Sequence, residues 1–202
     1  MTRQKLRRFG KIADLQNVIE WQKESKNNAL KALLNAKNLI LELGCGKGEH
    51  VLALGERYPD QICIGVDVKG ERIFVGAEQA NAQNLTNTWF VRAPIEKLLE
   101  LLPDSSVDEI WLTFCDPQLK KPSKCLASSA FFTQYTRVLS STGSITLKTD
   151  SQFVAKMFEE SAKLLSFHIQ KKVLLEINAT STFEKKWNAR GIATITSKVT
   201  KS

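Results

Sequence analysis

Apolar residues along this chain alternate between two rhythms. Short apolar runs at 38–43, 62–66, 88–91, 107–114 and 144–147 have the length of strands and end in Gly, Pro, Asn, Asp or Ser clusters. Between them lie stretches with helical spacing. One covers about 22–36, with Leu30, Leu33 and Leu34 on one face, and another runs from a glycine-rich loop through about Arg57, where Tyr58-Pro59-Asp60 breaks it. Further helices are expected from Gly70 to about Asn84, with Ile73, Ala77 and Ala80 aligned, from Ile95 to Leu101, over about 129–139, and over about 151–165. Ser141-Thr142-Gly143 reads as a turn. Strands near 167–176 and 192–198 close the chain, and with no helix expected between them they should form an antiparallel hairpin.

Strands alternating with helices predict an α/β architecture, a mostly parallel seven-stranded sheet with helices on both faces. Ligands in such sheets bind beyond the carboxyl ends of the strands, where the strand order reverses. Glu42, Asp67, Asp116 and Asp150 each stand at the end of a predicted strand, so they are expected to gather on one rim.

The glycine loop gives that rim a chemistry. Leu39-Ile40-Leu41-Glu42-Leu43 runs into Gly44-Cys45-Gly46-Lys47-Gly48-Glu49, and about twenty residues on, a second apolar run ends in Asp67. Gly44, Gly46 and Gly48 allow a sharp turn and close approach of backbone to a ligand. Asp67 can accept hydrogen bonds from both hydroxyls of a ribose. A dinucleotide fingerprint would place glycine at 49, where this chain has Glu49, and Glu42 would repel a phosphate but suits a cationic ligand. This E-x-G-x-G-x-G form resembles the S-adenosylmethionine loop of class I methyltransferases, a Rossmann-like fold.

Composition narrows the setting. The 202 residues, 43% hydrophobic and 25% charged, suit one soluble domain, taken here as residues 21–202 with a basic arm at 1–20. No apolar stretch approaches the roughly 20 residues of a membrane span, and the N-terminus lacks the apolar core of a signal peptide, so no membrane association and a cytoplasmic location are expected. Cys45, Cys63, Cys115 and Cys125 form no C-x-x-C pair and only His50 and His168 accompany them, which argues against a metal site or a disulfide framework. Cys45 is read as a small filler of the loop. The net charge of +8 points to a polyanionic partner. Positive charge clusters at Arg3, Lys5, Arg7, Arg8 and Lys11, at Lys120, Lys121 and Lys124, and at Lys171 and Lys172.

The second half of the chain narrows the family. The run from Ile110 to Lys121 contains Phe114-Cys115-Asp116-Pro117. Then come Phe131-Phe132, Tyr135-Thr136-Arg137-Val138-Leu139, Leu147-Lys148-Thr149-Asp150, Ser181-Thr182-Phe183-Glu184 and Gly191. With Gly65-Val66-Asp67-Val68-Lys69-Gly70-Glu71-Arg72-Ile73, these resemble the bacterial tRNA (guanine-7-)-methyltransferase family from about residue 38 to the end. The resemblance implies S-adenosylmethionine as cofactor, tRNA as partner, and a monomer or a homodimer. It implies cofactor binding by Glu42, Gly44, Gly46, Gly48, Asp67 and the position of Pro94. Asp116 matches the aspartate of the family's P-D-P-W motif, beside cofactor and base, and is the implied catalytic residue. Lys120 matches an RNA-contacting lysine, and Asp150, Ser181, Thr182, Phe183 and Glu184 match substrate-binding positions.

The chain departs from the family at three places. Gln118-Leu119 stands where the family has tryptophan and a further proline, Pro94 offers no side-chain acceptor and no N–H, and Ser181 replaces a threonine but keeps its hydroxyl. Methyl transfer to another RNA base, or a weakened RNA-binding relative, therefore remain as alternatives.

If the N-terminal basic cluster contacts phosphates, deleting residues 1–11 should flatten the salt dependence of RNA binding, because fewer counterions are released, and should leave cofactor affinity unchanged. A salt slope equal to that of the full chain, measured by titration across ionic strengths, would reduce the arm to a tail.

Overall fold

The computed structural model describes residues 10–21, 27–171, 177 and 179–201. The strands are β1 (Val18–Glu20), β2 (Leu39–Leu43), β3 (Ile62–Asp67), β4 (Thr88–Arg92), β5 (Val107–Thr113), β6 (Leu139–Thr149), β7 (His168–Lys171) and β8 (Ile195–Thr200). The helices are α1 (Asn27–Leu34), α2 (Glu49–Arg57), α3 (Gly70–Ala82), α4 (Ile95–Leu101), α5 (Ser129–Val138), α6 (Gln152–Leu164) and α7 (Thr182–Asn188). Positions 1–9 of the basic arm, 22–26 of the first expected helix and 172–176 of a late expected strand lie outside the described residues.

The eight strands among the described residues form one sheet in the order β1-β4-β3-β2-β5-β6-β8-β7. The pairs from β1 across to β6 are parallel, and β8 runs antiparallel to both β6 and β7. The chain builds outward from β2 through β3 to β4, then crosses back to lay β5 on the other side of β2. The reversal leaves a crevice above the carboxyl ends of β2, β3 and β5.

Alternation along the strands divides the core between two faces. Leu39, Leu41, Leu43, Ile64 and Val66 pack with Leu30 and Leu34 of α1, Leu98 of α4, Phe132 of α5 and Phe158 of α6. Ile40, Cys63 and Trp111 point the other way, into a second cluster with Val51 and Leu54 of α2 and Ile73, Phe74 and Ala77 of α3. Glu42, two residues after Ile40, therefore faces the α2 side.

The architecture is the expected one, with three differences. First, the sheet has eight strands. β1 arises inside the stretch taken as an arm, where Asn17-Val18-Ile19-Glu20 is too short to show an alternating pattern. It zips onto β4 through Phe90 N to Asn17 O at 2.9 Å and Trp21 N to Arg92 O at 3.1 Å, and the Glu20–Arg92 ion pair at 2.8 Å fixes its end. Second, the expected turn at 141–143 lies within β6. Leu139 pairs with Val107 and Ser144 with Glu109, so the residues between bulge from the ladder. Third, a helix, α7, interrupts the final antiparallel connection. Its start carries the S-x-x-E signature of a helix cap, with Glu184 N donating to Ser181 Oγ at 3.1 Å.

Ile19 is 3% exposed. Ile19→Ala should therefore cost about 2–5 kcal/mol, the range for truncating a buried isoleucine. Urea unfolding measures it, and an unchanged midpoint would return the segment to an arm.

Candidate active site

Between β2 and α2 the backbone turns through Gly44, Gly46 and Gly48 at φ of 79°, 59° and 77°. Gly44 N and Cys45 N both donate to Val66 O, at 2.8 and 3.0 Å, which pins the loop to β3. A Cβ on Gly46 would meet nothing within 4 Å, so this position borders open space, whereas one on Gly48 would come within 2.6 Å of the Phe90 ring. Asp67, at the tip of β3, accepts from Gly46 N at 3.0 Å with one oxygen and from Lys69 N at 2.8 Å with the other. Cys45 is buried and packs its sulfur over Gly65, where a Cβ would sit 2.9 Å from it. Burial pushes its thiol well above the ordinary range. The filler reading of Cys45 fits this packing.

Glu42 lies beneath the loop with no solvent exposure. Val51 N donates to its Oε2 at 2.8 Å and Thr113 Oγ1 to its Oε1 at 2.6 Å, joining β2 to the first turn of α2 and the end of β5. Burial raises its carboxyl to about 8, against those two hydrogen bonds, which lower it. At neutral pH the group is mostly protonated. His50, 2% exposed, places Nδ1 3.7 Å from Glu42 Oε1. Burial and the nearby Lys148 cation bring its imidazole down to about 3, so it is neutral. Lys148 Nζ lies 3.4 Å from His50 Nε2, which assigns the imidazole proton to Nδ1, and it donates to Ala179 O at 2.7 Å. The same ammonium pairs with Glu184 Oε2 at 2.8 Å, and Thr194 Oγ1 donates to Glu184 Oε1 at 3.2 Å. A buried polar chain thus runs from the glycine loop to α7.

The crevice itself holds about 620 Å³, within the size range of small-molecule sites. Asp67, Pro94, Glu96, Asp116, Lys124 and Asp150 line it, together with Gly44. A neighbouring cavity of about 420 Å³ is lined by Gly46, His50, Thr113, Ser181 and Lys186, and Gly44, Arg72 and Phe114 border both. Asp116 is exposed and accepts from Gln118 N at 2.9 Å, between Phe114 and Gln118 at φ of 49° and 52°. Positive φ at residues other than glycine is strained backbone of the kind that collects at functional sites. Asp150 is not the cap of α6. Ser151 caps it, with Val154 N donating to Ser151 Oγ at 3.3 Å, which leaves the Asp150 carboxylate on the crevice wall.

The site residues expected from sequence fall into two groups. Gly44, Asp67, Pro94, Asp116 and Asp150 share one crevice, with Gly46 in the adjoining cavity. Glu42 and Glu184 are buried and engaged with protein groups, Ser181 is a buried helix cap, and Gly48 packs against Phe90. Lys120 is exposed and stands off the crevice, which Lys124 lines instead. The side chains of Thr182 and Phe183 lie outside the described residues. Sequence reasoning gave no role to His50, Phe114 or Lys148. Lys148 carried a usable signal, a lysine set among the apolar residues of a central strand.

The fold is that of class I methyltransferases. The structure of the 16S rRNA methyltransferase KamB superposes with a TM-score of 0.63 at 14% identity, covering 89% of this chain and 94% of that one. A variant of the 16S rRNA (adenine(1408)-N(1))-methyltransferase from Catenulisporales acidiphilia, solved with cosubstrate SAM, superposes at 0.59 with 14% identity, over 86% and 90% of the two chains. A family described as putative methyltransferase matches residues 36–197. The tRNA (guanine-N(7)-)-methyltransferase of Bacteroides fragilis is 34% identical over 211 residues, covering 96% of this chain and 84% of that protein. That of Christiangramia forsetii is 37% identical over 164 residues, covering 76% and 73%. The chain belongs to the tRNA (guanine-N(7)-)-methyltransferase family.

The raised Glu42 carboxyl has a measurable consequence. Between the ordinary 4.5 and about 8 the folded protein keeps a proton that the unfolded chain has released. The stability from this group is complete below that window and is lost as pH rises through about 8. Glu42→Gln removes the titration while keeping the shape. The stability of the parent should therefore decline relative to the variant across the window, as measured by urea unfolding below, within and above it. A difference independent of pH would mean that the carboxyl is ionised throughout.

Proposed function

We propose that this protein transfers the methyl group of S-adenosylmethionine to the N7 atom of a guanine in tRNA. The observation that carries the reading is the convergence of Asp67, Asp116 and Asp150, from the ends of three different strands, on one crevice beside the glycine loop. Membership of the family supports the reaction and its substrate.

The residues present fit the cofactor. Gly46 leaves room for close approach, and Asp67 is held at the tip of β3 by two backbone donors with lone pairs remaining for ribose hydroxyls. Pro94 supplies apolar surface, and the neighbouring Glu96 supplies the acceptor for an adenine amine that Pro94 lacks. The neutral Glu42 acts at one remove by fixing the loop. When bound, the cofactor supplies an electrophilic methyl group on a sulfonium.

The protein's remaining task is alignment. Guanine N7 has an in-plane lone pair and no proton to lose, so no general base is needed. Asp116 and Asp150 accept hydrogen bonds from the donors on the Watson–Crick edge and hold N7 towards the methyl group. Their charge also offsets the positive charge that develops on the purine. The turn at Asp116, fixed by its bond to Gln118 N, keeps that carboxylate in place as the base arrives. Lys120, Lys121 and Lys124, on the segment beyond, meet the phosphates.

Asp116→Asn and Asp150→Ala should each lower the turnover of methyl transfer on the order of a hundredfold, the scale of lost alignment, with melting temperature and S-adenosylhomocysteine affinity little changed. Radiolabelled transfer into total tRNA followed by nucleoside analysis reads both turnover and product. Near-normal transfer by both folded variants, or label in a nucleoside other than 7-methylguanosine, would overturn the assignment.

A further inference from the structure

The cavity beside the crevice differs from it in charge. The crevice is lined by the acids Asp67, Glu96, Asp116 and Asp150 against the cations Lys69, Arg72 and Lys124. Among the described residues that line the second cavity, the cations are Lys47, Arg72 and Lys186, and the one acid is Glu49. These three cations come from separate elements, the glycine loop, α3 and α7, and all are exposed. Among the described residues none of their side chains makes a hydrogen bond or an ion pair, so their donors are available. His50, on the same wall, is neutral and the Cys45 thiol keeps its proton, so neither changes the balance. Ser181 Oγ accepts from Glu184 N, which leaves its own hydrogen to donate into the cavity it lines.

We propose that this second cavity is a phosphate site, in which Lys47, Arg72 and Lys186 grip the backbone phosphate of the nucleotide whose base enters the crevice. The assignment rests on the reading of the crevice given above. The two spaces adjoin at Gly44, Arg72 and Phe114, so a nucleotide with its base in one leads its sugar and phosphate into the other. The division of charge suits the two ends of such a ligand. The Watson–Crick edge of guanine offers donors to carboxylates. A backbone phosphate offers acceptor oxygens and a negative charge, which carboxylates repel and cations hold. Arg72 presents a planar fork that matches two phosphate oxygens, and the lysines act as point charges.

Phosphate contacts fix register and orientation without reading sequence. The cavity therefore accepts the phosphate of any nucleotide, and the acids of the crevice choose the base. The grip is the same before and during methyl transfer, so its loss raises KM for tRNA and leaves kcat nearly unchanged.

The test measures binding of an unmodified tRNA transcript to the full-length protein across salt concentrations, with saturating S-adenosylhomocysteine. Arg72→Gln and Lys186→Gln are compared with Lys185→Gln, which removes an exposed cation of α7 outside the cavity lining. Each of the first two should weaken binding and lower the slope of log affinity against log salt by about one. Melting temperature and S-adenosylhomocysteine affinity should stay at the parent's values, and Lys185→Gln should leave the slope unchanged. Arg72→Lys and Lys186→Arg keep the charge and should restore binding. Slopes for Arg72→Gln and Lys186→Gln equal to that of Lys185→Gln overturn the proposal and reduce the cations to a solvated face. So does a matching loss of S-adenosylhomocysteine affinity, which would assign the cations to the carboxylate of the cofactor. The expected binding pattern in a parent protein that places no label in 7-methylguanosine supports the phosphate site and overturns only the reaction assigned above.

Discussion

The burial of one carboxyl group organises the whole rim of the sheet. Glu42 sits under the glycine loop and ties three elements together, because Val51 N on α2 and Thr113 Oγ1 at the end of β5 both donate to it. A polar group removed from water costs free energy unless its hydrogen bonds are met. Glu42 is met by donors that only this arrangement of β2, α2 and β5 supplies. The loop geometry, the docking of α2 and the spacing between β2 and β5 are therefore coupled. The crevice opens where those strands diverge, so its shape depends on the same carboxyl.

The coupling extends further than one residue. Through His50 and Lys148 the chain of polar contacts reaches Glu184 on α7, and each member is buried. Removing Lys148 or Glu184 alone would leave the other as an uncompensated buried charge, which costs more than the intact pair contributes. Placing α7 against the sheet in this way sets Ser181 and Lys186 on the wall of the second cavity. The acidic residues of the site accordingly divide by environment. Glu42 and Glu184 are consumed by structure, Asp67 both braces the loop and faces the crevice, and Asp116 and Asp150 keep their carboxylates on its wall.

The segment after β5 is built on different terms. Phe114 and Gln118 hold positive φ on either side of Asp116-Pro117, and Phe114 N donates to Lys148 O at 2.7 Å. The strained turn is anchored at one end by the neighbouring strand and at the other by the buried Cys125 and Leu126. An exposed carboxylate on a braced, strained turn can be oriented without being buried.

Much of this was legible from the order of residues. Apolar runs and helical spacing predicted the parallel sheet and its helices, because both periodicities are local consequences of backbone geometry. The glycine loop and the strand-end acids predicted the rim, because a parallel sheet sends all its carboxyl ends to one side. The three residues of β1 were not legible, since a strand that short is defined by its partner, and Phe90 and Arg92 lie some seventy positions away. The roles of the acids were not legible either. Glu42 and Asp67 both end strands in the sequence, yet Glu42 faces the α2 side beneath the loop while Asp67 reaches the crevice. The resemblance sets Glu184 among substrate-binding positions, and only the fold shows that it is buried against Lys148. Sequence fixes which groups are available and roughly where along the chain they stand. Burial and the charges packed nearby decide which of them are protonated, paired or free, and those arise only when distant segments fold together.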